Sequence, residues 1–336
     1  MKKNLLILIF FPLLFACKPQ YVRDFTPQTN FDALWRILDE KYCFFDDKDI
    51  DWNGVKAVYQ PQLAKMKNEV QMFDLFAQMI DTLQDGHVNL YSQFDVSRCK
   101  GWFEDYPENF NAAIISQRYL GENYRVSGGF SYNLIDNKKI GYMRYSSFEN
   151  AVSGAGMKYI REIFGNCKGI ILDVRSNGGG SLSYSEALAA CFLKEKTLTG
   201  YIRHKNGIGH NDFSAPKAVY TDPKDAPVDW SDLNIVILTN RRCYSATNDF
   251  ICRIKNNAPN VVIVGRTTGG GGGVPSSNEL PCGWMIRFSA VQLLDKNHNQ
   301  IEFGIEPDFS VDLENDDVAE GKDTLIEYAV NLLKNK

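Results

Sequence analysis

The sequence predicts an α/β protein whose core is a parallel-rich sheet, preceded by a small N-terminal helical bundle. From residue 140 onward, short apolar runs typical of buried strands alternate with amphipathic stretches typical of helices. This alternation indicates a parallel sheet with helices packed on its faces. The predicted strands are 140–145, 169–174, 235–238, 260–265 and 284–294, and the predicted helices are 151–164, 182–193 and 323–333.

The part of the chain before residue 140 has a different pattern. Residues 30–83 contain three segments with helical periodicity, each of which would bury one face. Residues 91–138 are polar, aromatic and irregular, which predicts a connecting region with a few strands. We therefore predict a helical region at 30–90, a connecting region at 91–138 and an α/β domain at 139–336.

The N-terminus is typical of an export signal, because Lys2 and Lys3 form a basic start and residues 5–15 are almost wholly apolar. The small residue before Cys17 resembles the bacterial lipobox. This resemblance implies removal of a signal peptide at 1–16, lipidation of Cys17 and a tether at 17–29. An ordinary signal with a chance cysteine is the alternative. We predict a protein of the bacterial cell envelope, held to a membrane by this lipid and facing the periplasm or the outer surface.

Composition excludes some partners and leaves others open. The 336 residues carry a net charge of −4 without acidic or basic blocks, which gives no support for nucleic-acid binding. The four histidines do not pair with other ligands at zinc-site spacing, so we predict neither a metal nor a cofactor. The cysteine spacing shows no disulfide framework. The oligomeric state is open.

Ser245 is a candidate nucleophile. It follows the apolar run 235–238 and precedes apolar residues at helical spacing, which places it on a turn from a buried strand into a helix. At such a turn the N–H of Ala246 is free to donate to the oxyanion that forms when a serine attacks a carbonyl. A lone serine in this position is more often only an N-cap. Partners elsewhere in the chain must decide between these interpretations.

A glycine nest is the first of these partners. Gly178, Gly179 and Gly180 directly follow a buried strand. Three glycines leave backbone N–H groups uncovered, and such a nest can bind a developing oxyanion. A simple tight loop is the alternative. A phosphate site is not supported, because the nucleotide-binding glycine motifs are absent.

Two further stretches are candidates for the surroundings of a site. Residues 269–273 are five consecutive glycines, which are costly to order. They predict either a substrate-lining loop, in which Gly269, Gly270 and Gly271 take part, or a mobile connector. Downstream, the carboxylates at 302, 306 and 308 flank a turn and are equally compatible with a solvated surface.

Together these residues resemble the C-terminal processing (tail-specific) serine peptidases and their tricorn and retinoid-binding-protein-like relatives. The resemblance rests on residues 172–180, Ser245-Ala246 and 265–269 in this order, and it extends over nearly the whole mature chain. It implies a crotonase/ClpP-like core with Ser245 as the nucleophile. It also implies an oxyanion hole formed by the N–H of Ala246 and that of Gly179 or Gly180.

The resemblance further implies which group acts as the general base. Processing peptidases carry a lysine in the glycine-rich stretch after the serine, but residues 257–294 contain none. Tricorn-like members use a histidine in an Asp-Gly-His type of motif, which His87 matches, and an imidazole can accept the serine proton near neutral pH. Gly86 replaces the serine that orients this histidine in that branch, so another group must do so. Glu302 is the candidate for the supporting acidic residue, and Glu306 is the alternative.

The sequence therefore predicts an exported, lipid-anchored serine endopeptidase that acts on peptides or proteins, with ester substrates left open. Asn248 departs from the acidic residue usual at its position, and residues 92–138 are too few for a full PDZ domain. The alternative is a catalytically inactive member that binds peptides or apolar ligands in the same cleft. Such a protein would not need His87 within reach of Ser245. A nucleotide-dependent enzyme is disfavoured, because the glycine nest lacks the required lysine.

Overall fold

The computed structural model describes residues 23–335. Its helices are α1 (Pro27–Lys41), α2 (Trp52–Tyr59), α3 (Glu69–Asp81), α4 (Gly101–Glu104), α5 (Ala112–Ile114), α6 (Gly154–Ile163), α7 (Leu182–Ala190), α8 (Ala246–Ile254), α9 (Asn315–Ala319) and α10 (Thr324–Lys334). Its strands are β1 (Asn89–Tyr91), β2 (Arg125–Ser127), β3 (Phe130–Ile135), β4 (Ile140–Tyr145), β5 (Gly169–Asp173), β6 (Thr197–His204), β7 (Lys217–Thr221), β8 (Ile235–Thr239), β9 (Val261–Gly265), β10 (Gly273–Glu279), β11 (Met285–Leu294) and β12 (Phe309–Ser310).

A seven-stranded sheet forms the centre of the α/β part, in the order β12-β9-β8-β5-β4-β3-β2. The pairs from β12 to β4 are parallel, whereas β3 and β2 add an antiparallel edge. Helices α6, α7 and α8 cover one face and α10 covers the other. Every residue of β5 and β8 is therefore buried, as expected for strands enclosed on both faces. The predicted α/β core is confirmed.

The antiparallel edge lies where the sequence predicts a separate connecting region. β3 pairs with β4 along its whole length through a tight turn, in which Asp136, Asn137 and Lys138 all have positive φ. The boundary predicted between residues 138 and 139 therefore cuts through a β-hairpin, and the sheet begins at β2. Short strands with half-exposed residues carry a weak periodic signal, which is why sequence patterning did not extend the sheet this far.

The N-terminal helices pack on a second sheet. This sheet is antiparallel, with the order β1-β11-β6-β7 and with β10 also paired to β11. Trp284, just before β11, makes edge-on contacts with Phe73 and Phe76 of α3 at ring-centroid distances of 5.6 and 6.3 Å. The predicted helical region is thus present, but it shares its apolar core with a hairpin from the C-terminal half of the chain. It is not an independent bundle.

None of the helices between residues 23 and 335 is both long and apolar enough to cross a membrane. The predicted signal peptide, Cys17 and the start of the tether lie outside the described residues.

Candidate active site

Ser245 lies on the turn that leads from β8 into α8, with φ 56° and ψ −118°. This is a left-handed backbone conformation that non-glycine residues adopt rarely and that is common at functional sites. The turn is held by a hydrogen bond of 2.9 Å from the Ser245 N–H to the Gly270 carbonyl. Although Ser245 occupies the N-cap position, its side chain does not cap the helix. Its hydroxyl is therefore available for another partner.

That partner is His87, which lies on the turn between α3 and β1. His87 Nε2 is 3.0 Å from Ser245 Oγ, although 158 positions separate the two residues in the chain. The imidazole is buried. In the tautomer that carries its proton on Nδ1, Nε2 accepts the hydroxyl proton. The structure thus brings together a hydroxyl and a base at hydrogen-bond distance, as a nucleophile–base pair requires.

Asp85 fixes the turn that carries His87. Its fully buried carboxylate accepts four hydrogen bonds, whereas the sequence identified Asp85 only as part of an Asp-Gly-His motif on a turn. The donors are the His87 N–H (2.7 Å), the Tyr42 hydroxyl (3.1 Å), the Tyr244 hydroxyl (3.2 Å) and the Ser289 hydroxyl (2.8 Å). Because Tyr244 precedes Ser245 in the chain, Asp85 connects the turn of the base to the turn of the nucleophile.

Burial keeps His87 in its neutral form. Removal from water lowers the pKa of His87 to about 4, and the nearby Asp85 carboxylate only partly opposes this effect. The positive charges of Arg287 and Lys48 lower the pKa further. The imidazole therefore has a free lone pair at neutral pH, as a general base needs. No group among residues 23–335 hydrogen-bonds its Nδ1 atom.

Glu302 lies in the same buried cluster but does not contact His87 Nδ1. Its carboxylate pairs instead with Lys48 at 2.8 Å, and both side chains are almost inaccessible to solvent. Burial raises the pKa of Glu302 to about 8 and the Asp85 charge adds to this rise, whereas Lys48 lowers it. The alternative candidate, Glu306, is exposed and lines a separate cavity. The geometry favours Glu302 as the carboxylate nearer to the pair.

The glycine nest packs directly against the serine turn. Gly179 has φ 99°, and a Cβ at this position would lie 2.9 Å from the Ala246 nitrogen. The Gly179 N–H already donates to Asn177 Oδ1 at 3.0 Å. Ala246 is the first residue of α8, so its N–H has no acceptor within the helix. Gly180 is exposed, and its backbone packs against Phe148 and Glu149. Of these N–H groups, that of Ala246 is free to donate to an oxyanion, whereas that of Gly179 is already engaged.

The five-glycine loop is ordered by close packing. Its residues are buried, and Gly270 and Gly271 have positive φ. Gly270 supports the Ser245 turn, and Gly271 lies against the Tyr244 ring. Of the three predicted lining residues, Gly269 borders a cavity of about 560 Å³ beside the pair, whereas Gly270 and Gly271 do not. The predicted lining role fits Gly269 only, because the other two pack beneath the turn.

Comparison with known proteins identifies the family. The profile of peptidase family S41 matches residues 139–311, just over half of the chain, and that of the tricorn protease C1 domain matches residues 26–81. The chain belongs to peptidase family S41. The family predicted from the sequence is thereby confirmed.

The similarity to curated relatives extends over only part of each chain. The chain is 28% identical over 182 residues to a carboxyl-terminal-processing protease of Picosynechococcus sp., covering 53% of this chain and 41% of the relative. It is 29% identical over 182 residues to a CtpA-like serine protease of Staphylococcus aureus (strain COL), covering 52% of this chain and 34% of the relative. The chain therefore spans less than half the length of these curated relatives.

Solved structures agree on the S41 fold. A candidate peptidase from Parabacteroides merdae ATCC 43184 is 46% identical, with a TM-score of 0.87 over 92% of this chain and 97% of that chain. Mature CPAF has a TM-score of 0.68 over 93% of this chain and 97% of its own, at 14% identity. At that low identity the likeness to CPAF shows the fold alone.

Asn248 differs from the acidic residue expected in this family, and it has a structural role here. Its Nδ2 donates to the Ile301 carbonyl at 2.9 Å, and its Oδ1 accepts from the Thr268 hydroxyl at 2.6 Å. Asn248 thus ties α8 to the segment that carries Glu302. No acidic residue is needed at this position.

We expect Asn248→Ala to lower the free energy of unfolding by about 1–3 kcal/mol, because it removes two buried hydrogen bonds, one from the Thr268 hydroxyl and one to the Ile301 carbonyl. Chemical denaturation would measure the change. The control is Asn297→Ala at an exposed position, for which we expect about 0.5 kcal/mol or less. Equal effects of the two substitutions would contradict this role of Asn248.

Lys48 and Trp102 lie in this candidate site, but sequence reasoning did not find them. Trp102 gave no usable signal, since a lone tryptophan in an irregular stretch has many explanations. Lys48 lies in an acidic loop, where a lysine reads as solvated surface. Among residues 23–335, no three His, Cys, Asp or Glu side chains converge as a metal site.

Proposed function

We propose that the protein is an exported, lipid-anchored serine endopeptidase in which Ser245 is the nucleophile and His87 the general base. One observation carries the proposal: Ser245 Oγ and His87 Nε2 lie 3.0 Å apart in a buried site. Membership of peptidase family S41 supports a serine-type hydrolase. A protein that only binds ligands would not need this pairing.

In the first half of the reaction, Ser245 Oγ attacks the carbonyl carbon of the substrate while its proton moves to His87 Nε2. The carbonyl oxygen becomes an oxyanion, to which the N–H of Ala246 donates. His87 then gives its proton to the leaving amine nitrogen, the C–N bond breaks and an acyl ester remains on Ser245. Water attacks this ester while His87 accepts its proton. His87 then returns the proton to Ser245 Oγ as the ester C–O bond breaks, and the acid product leaves.

Among the buried charges around His87, the Asp85 carboxylate is the one that favours the protonated intermediate. Asp85 and Glu302 supply two carboxyl groups, whereas Lys48 supplies one ammonium. Because burial raises the pKa of Glu302 to about 8, its carboxyl group is neutral at pH 7. The imidazolium that forms during attack is therefore attracted by the Asp85 carboxylate and opposed by Lys48 and Arg287. This is the electrostatic role that a carboxylate has in a Ser-His-Asp triad, without a direct hydrogen bond to Nδ1.

Labelling with a fluorophosphonate probe tests the proposal. The purified protein should form a covalent adduct, and peptide mapping should place it on Ser245. Hydrolysis of matched peptide and ester substrates would then define the bond that is cleaved. If the protein is folded but forms no adduct, the proposed peptidase activity is refuted. A catalytically inactive protein that binds ligands in the same cleft is then the favoured alternative.

The pH dependence of the reaction follows from the state of His87. Because burial lowers the pKa of His87 to about 4, the neutral base persists at pH values where an ordinary imidazole is half protonated. We expect the labelling rate to stay level as the pH falls from neutral through 6.5 and to drop only as it approaches about 4. A midpoint near the ordinary value of 6.5 would show that His87 is hydrated in solution.

The lipid anchor is a separate proposal, supported by the sequence around Cys17. Expression of the full chain in a bacterial host should place the wild-type protein in the membrane fraction. Labelled palmitate should be incorporated into the wild-type protein but not into Cys17→Ser, because the lipid is attached through the cysteine sulfur. Equal incorporation into the two proteins, or none into either, would contradict the anchor without affecting the proposed chemistry.

A further inference from the structure

Trp102 lies beside the serine turn, at the start of the segment that follows β1. Its indole stacks on the Tyr244 ring with centroids 4.2 Å apart and an angle of 27° between the planes. Arg241 Nε donates to the Trp102 carbonyl at 2.6 Å, which fixes the segment on the same turn. Tyr244 lies in turn 4.9 Å from the His87 ring. Trp102 is thus one contact away from both members of the pair.

The two stacked rings fill a slot that glycines leave open. A Cβ at Gly86 would lie 2.7 Å from Trp102 Nε1 and 3.0 Å from the Tyr244 hydroxyl oxygen. A Cβ at Gly271 would lie 2.5 Å from the Tyr244 ring, and one at Gly269 would collide with the Trp102 ring. Side chains at these positions would displace the rings. Gly86, which precedes the base, and Gly269 and Gly271, which follow the nucleophile in the chain, therefore serve the same purpose. Each leaves space for one or both of the stacked rings.

Burial of apolar surface alone does not explain why Trp102 lies at this position. Trp284 is completely buried in the core, whereas Trp102 is half-buried and borders the cavity of about 560 Å³ beside Gly86 and Tyr244. An aromatic ring left partly open to a cavity is stabilised less by burial than a core residue is. Its specific contacts are those with Tyr244, Gly86 and Gly269, all of which lie next to the proposed chemistry.

We propose that Trp102 is a positioning residue: its stack on Tyr244 holds the turns of Ser245 and His87 at reacting distance and takes the place of a side chain at position 86. The proposal rests on the proposed function for its effect on rate. Asp85 links the base to Tyr244 through hydrogen bonds, and Trp102 stacks on the ring of the same tyrosine. The rigid stack compensates for the orienting side chain that Gly86 lacks.

Truncation of the ring gives the first test. We expect Trp102→Ala to slow fluorophosphonate labelling by about 10- to 100-fold, because a displacement of about 1 Å in a reacting pair has an effect of this size. Trp102→Phe keeps an aromatic face and should stay within about threefold of wild type. The control is Tyr124→Ala, which removes an exposed ring that does not line this cavity. Equal rates for Trp102→Ala and wild type, or equal losses in both alanine variants, would overturn the proposal.

A second measurement does not depend on activity. Titration of His87 by NMR, assigned with His87→Gln, reports how water reaches the imidazole. Loss of the indole opens the slot next to Gly86, so the pKa of His87 should rise in Trp102→Ala from about 4 towards 6.5. If the wild type forms no adduct but this shift occurs, the peptidase is refuted and the positioning role stands. If the wild type is labelled and no shift occurs, the positioning role is refuted.

A double-mutant cycle tests the slot itself. Gly86→Ser introduces a Cβ against Trp102 Nε1 and should slow labelling. In the Trp102→Ala background this clash is absent, so the same substitution should have a smaller effect than in wild type. Non-additivity of this kind is expected of residues in direct contact. Additive effects would show that Gly86 and Trp102 act independently and would overturn the proposal. Thermal melting of each variant confirms that it is folded.

Discussion

Replacement of His87 by glutamine is expected to slow both fluorophosphonate labelling and peptide hydrolysis by about 10²- to 10⁴-fold. Glutamine has a similar size and can still hydrogen-bond to Ser245 Oγ, but its amide cannot accept a proton. The oxyanion donor remains in place, so residual activity above the uncatalysed rate is expected. The measurement is kcat/KM at neutral pH. Chemistry that depends on the base should lower kcat rather than raise KM.

The matched control for this experiment is His210→Gln. His210 lies on the loop between β6 and β7, away from Ser245. Its Nε2 atom is hydrogen-bonded to Asp39 of α1 at 2.9 Å. We expect this variant to react at a rate close to that of wild type. If labelling survives His87→Gln, the serine is still activated, but its base must be another residue.

Among the substitutions considered for stability, replacement of Arg175 should lower the free energy of unfolding most. Its guanidinium is fully buried between two carboxylates, donating to Asp173 at 2.7 and 3.0 Å and to Asp323 at 2.9 and 3.1 Å. Arg175→Met keeps much of the volume but leaves both acids without their cation. Such a loss destabilises proteins by about 3–5 kcal/mol. Chemical denaturation of the two proteins would measure the difference.

Arg161→Met provides the matched control. Arg161 also contacts one aspartate, Asp232, through two hydrogen bonds, but Asp232 is 66% exposed. Ion pairs in water contribute about 0–1 kcal/mol, so this variant should have nearly wild-type stability. A loss of under 1 kcal/mol in Arg175→Met as well would show that Asp173 and Asp323 become protonated or hydrated without unfolding the chain.

The sequence predicted the parts of the site that depend on local chain geometry. A serine between an apolar run and a helical pattern identified the turn at Ser245, and the missing lysine after it directed attention to His87. These inferences need only periodicity, a resemblance and one absent residue type. The parallel sheet followed from the alternation of strands and helices for the same reason.

The remaining parts depend on contacts between distant segments, which leave no local pattern. Lys48 and Glu302 form a buried pair although one comes from an early loop and the other from a late turn. Trp102 is explained by its stack on Tyr244 and by the two glycines, Gly86 and Gly269, that leave room for its ring. The edge strands β2 and β3 were hidden because half-exposed strands alternate weakly. In each case the three-dimensional partner, and not the residue itself, determines the role.

The separation of the two reacting groups along the chain has a consequence for biosynthesis. His87 lies on a turn that packs with β11, and the Ser245 turn is braced by the glycine loop and the Glu302 segment, all of which emerge late from the ribosome. An incomplete or still unfolded chain therefore has no aligned hydroxyl and imidazole. Such long-range closure is slow relative to local folding. The reacting pair is thus a product of complete folding, and a chain truncated before β11 should not react with a serine-directed probe.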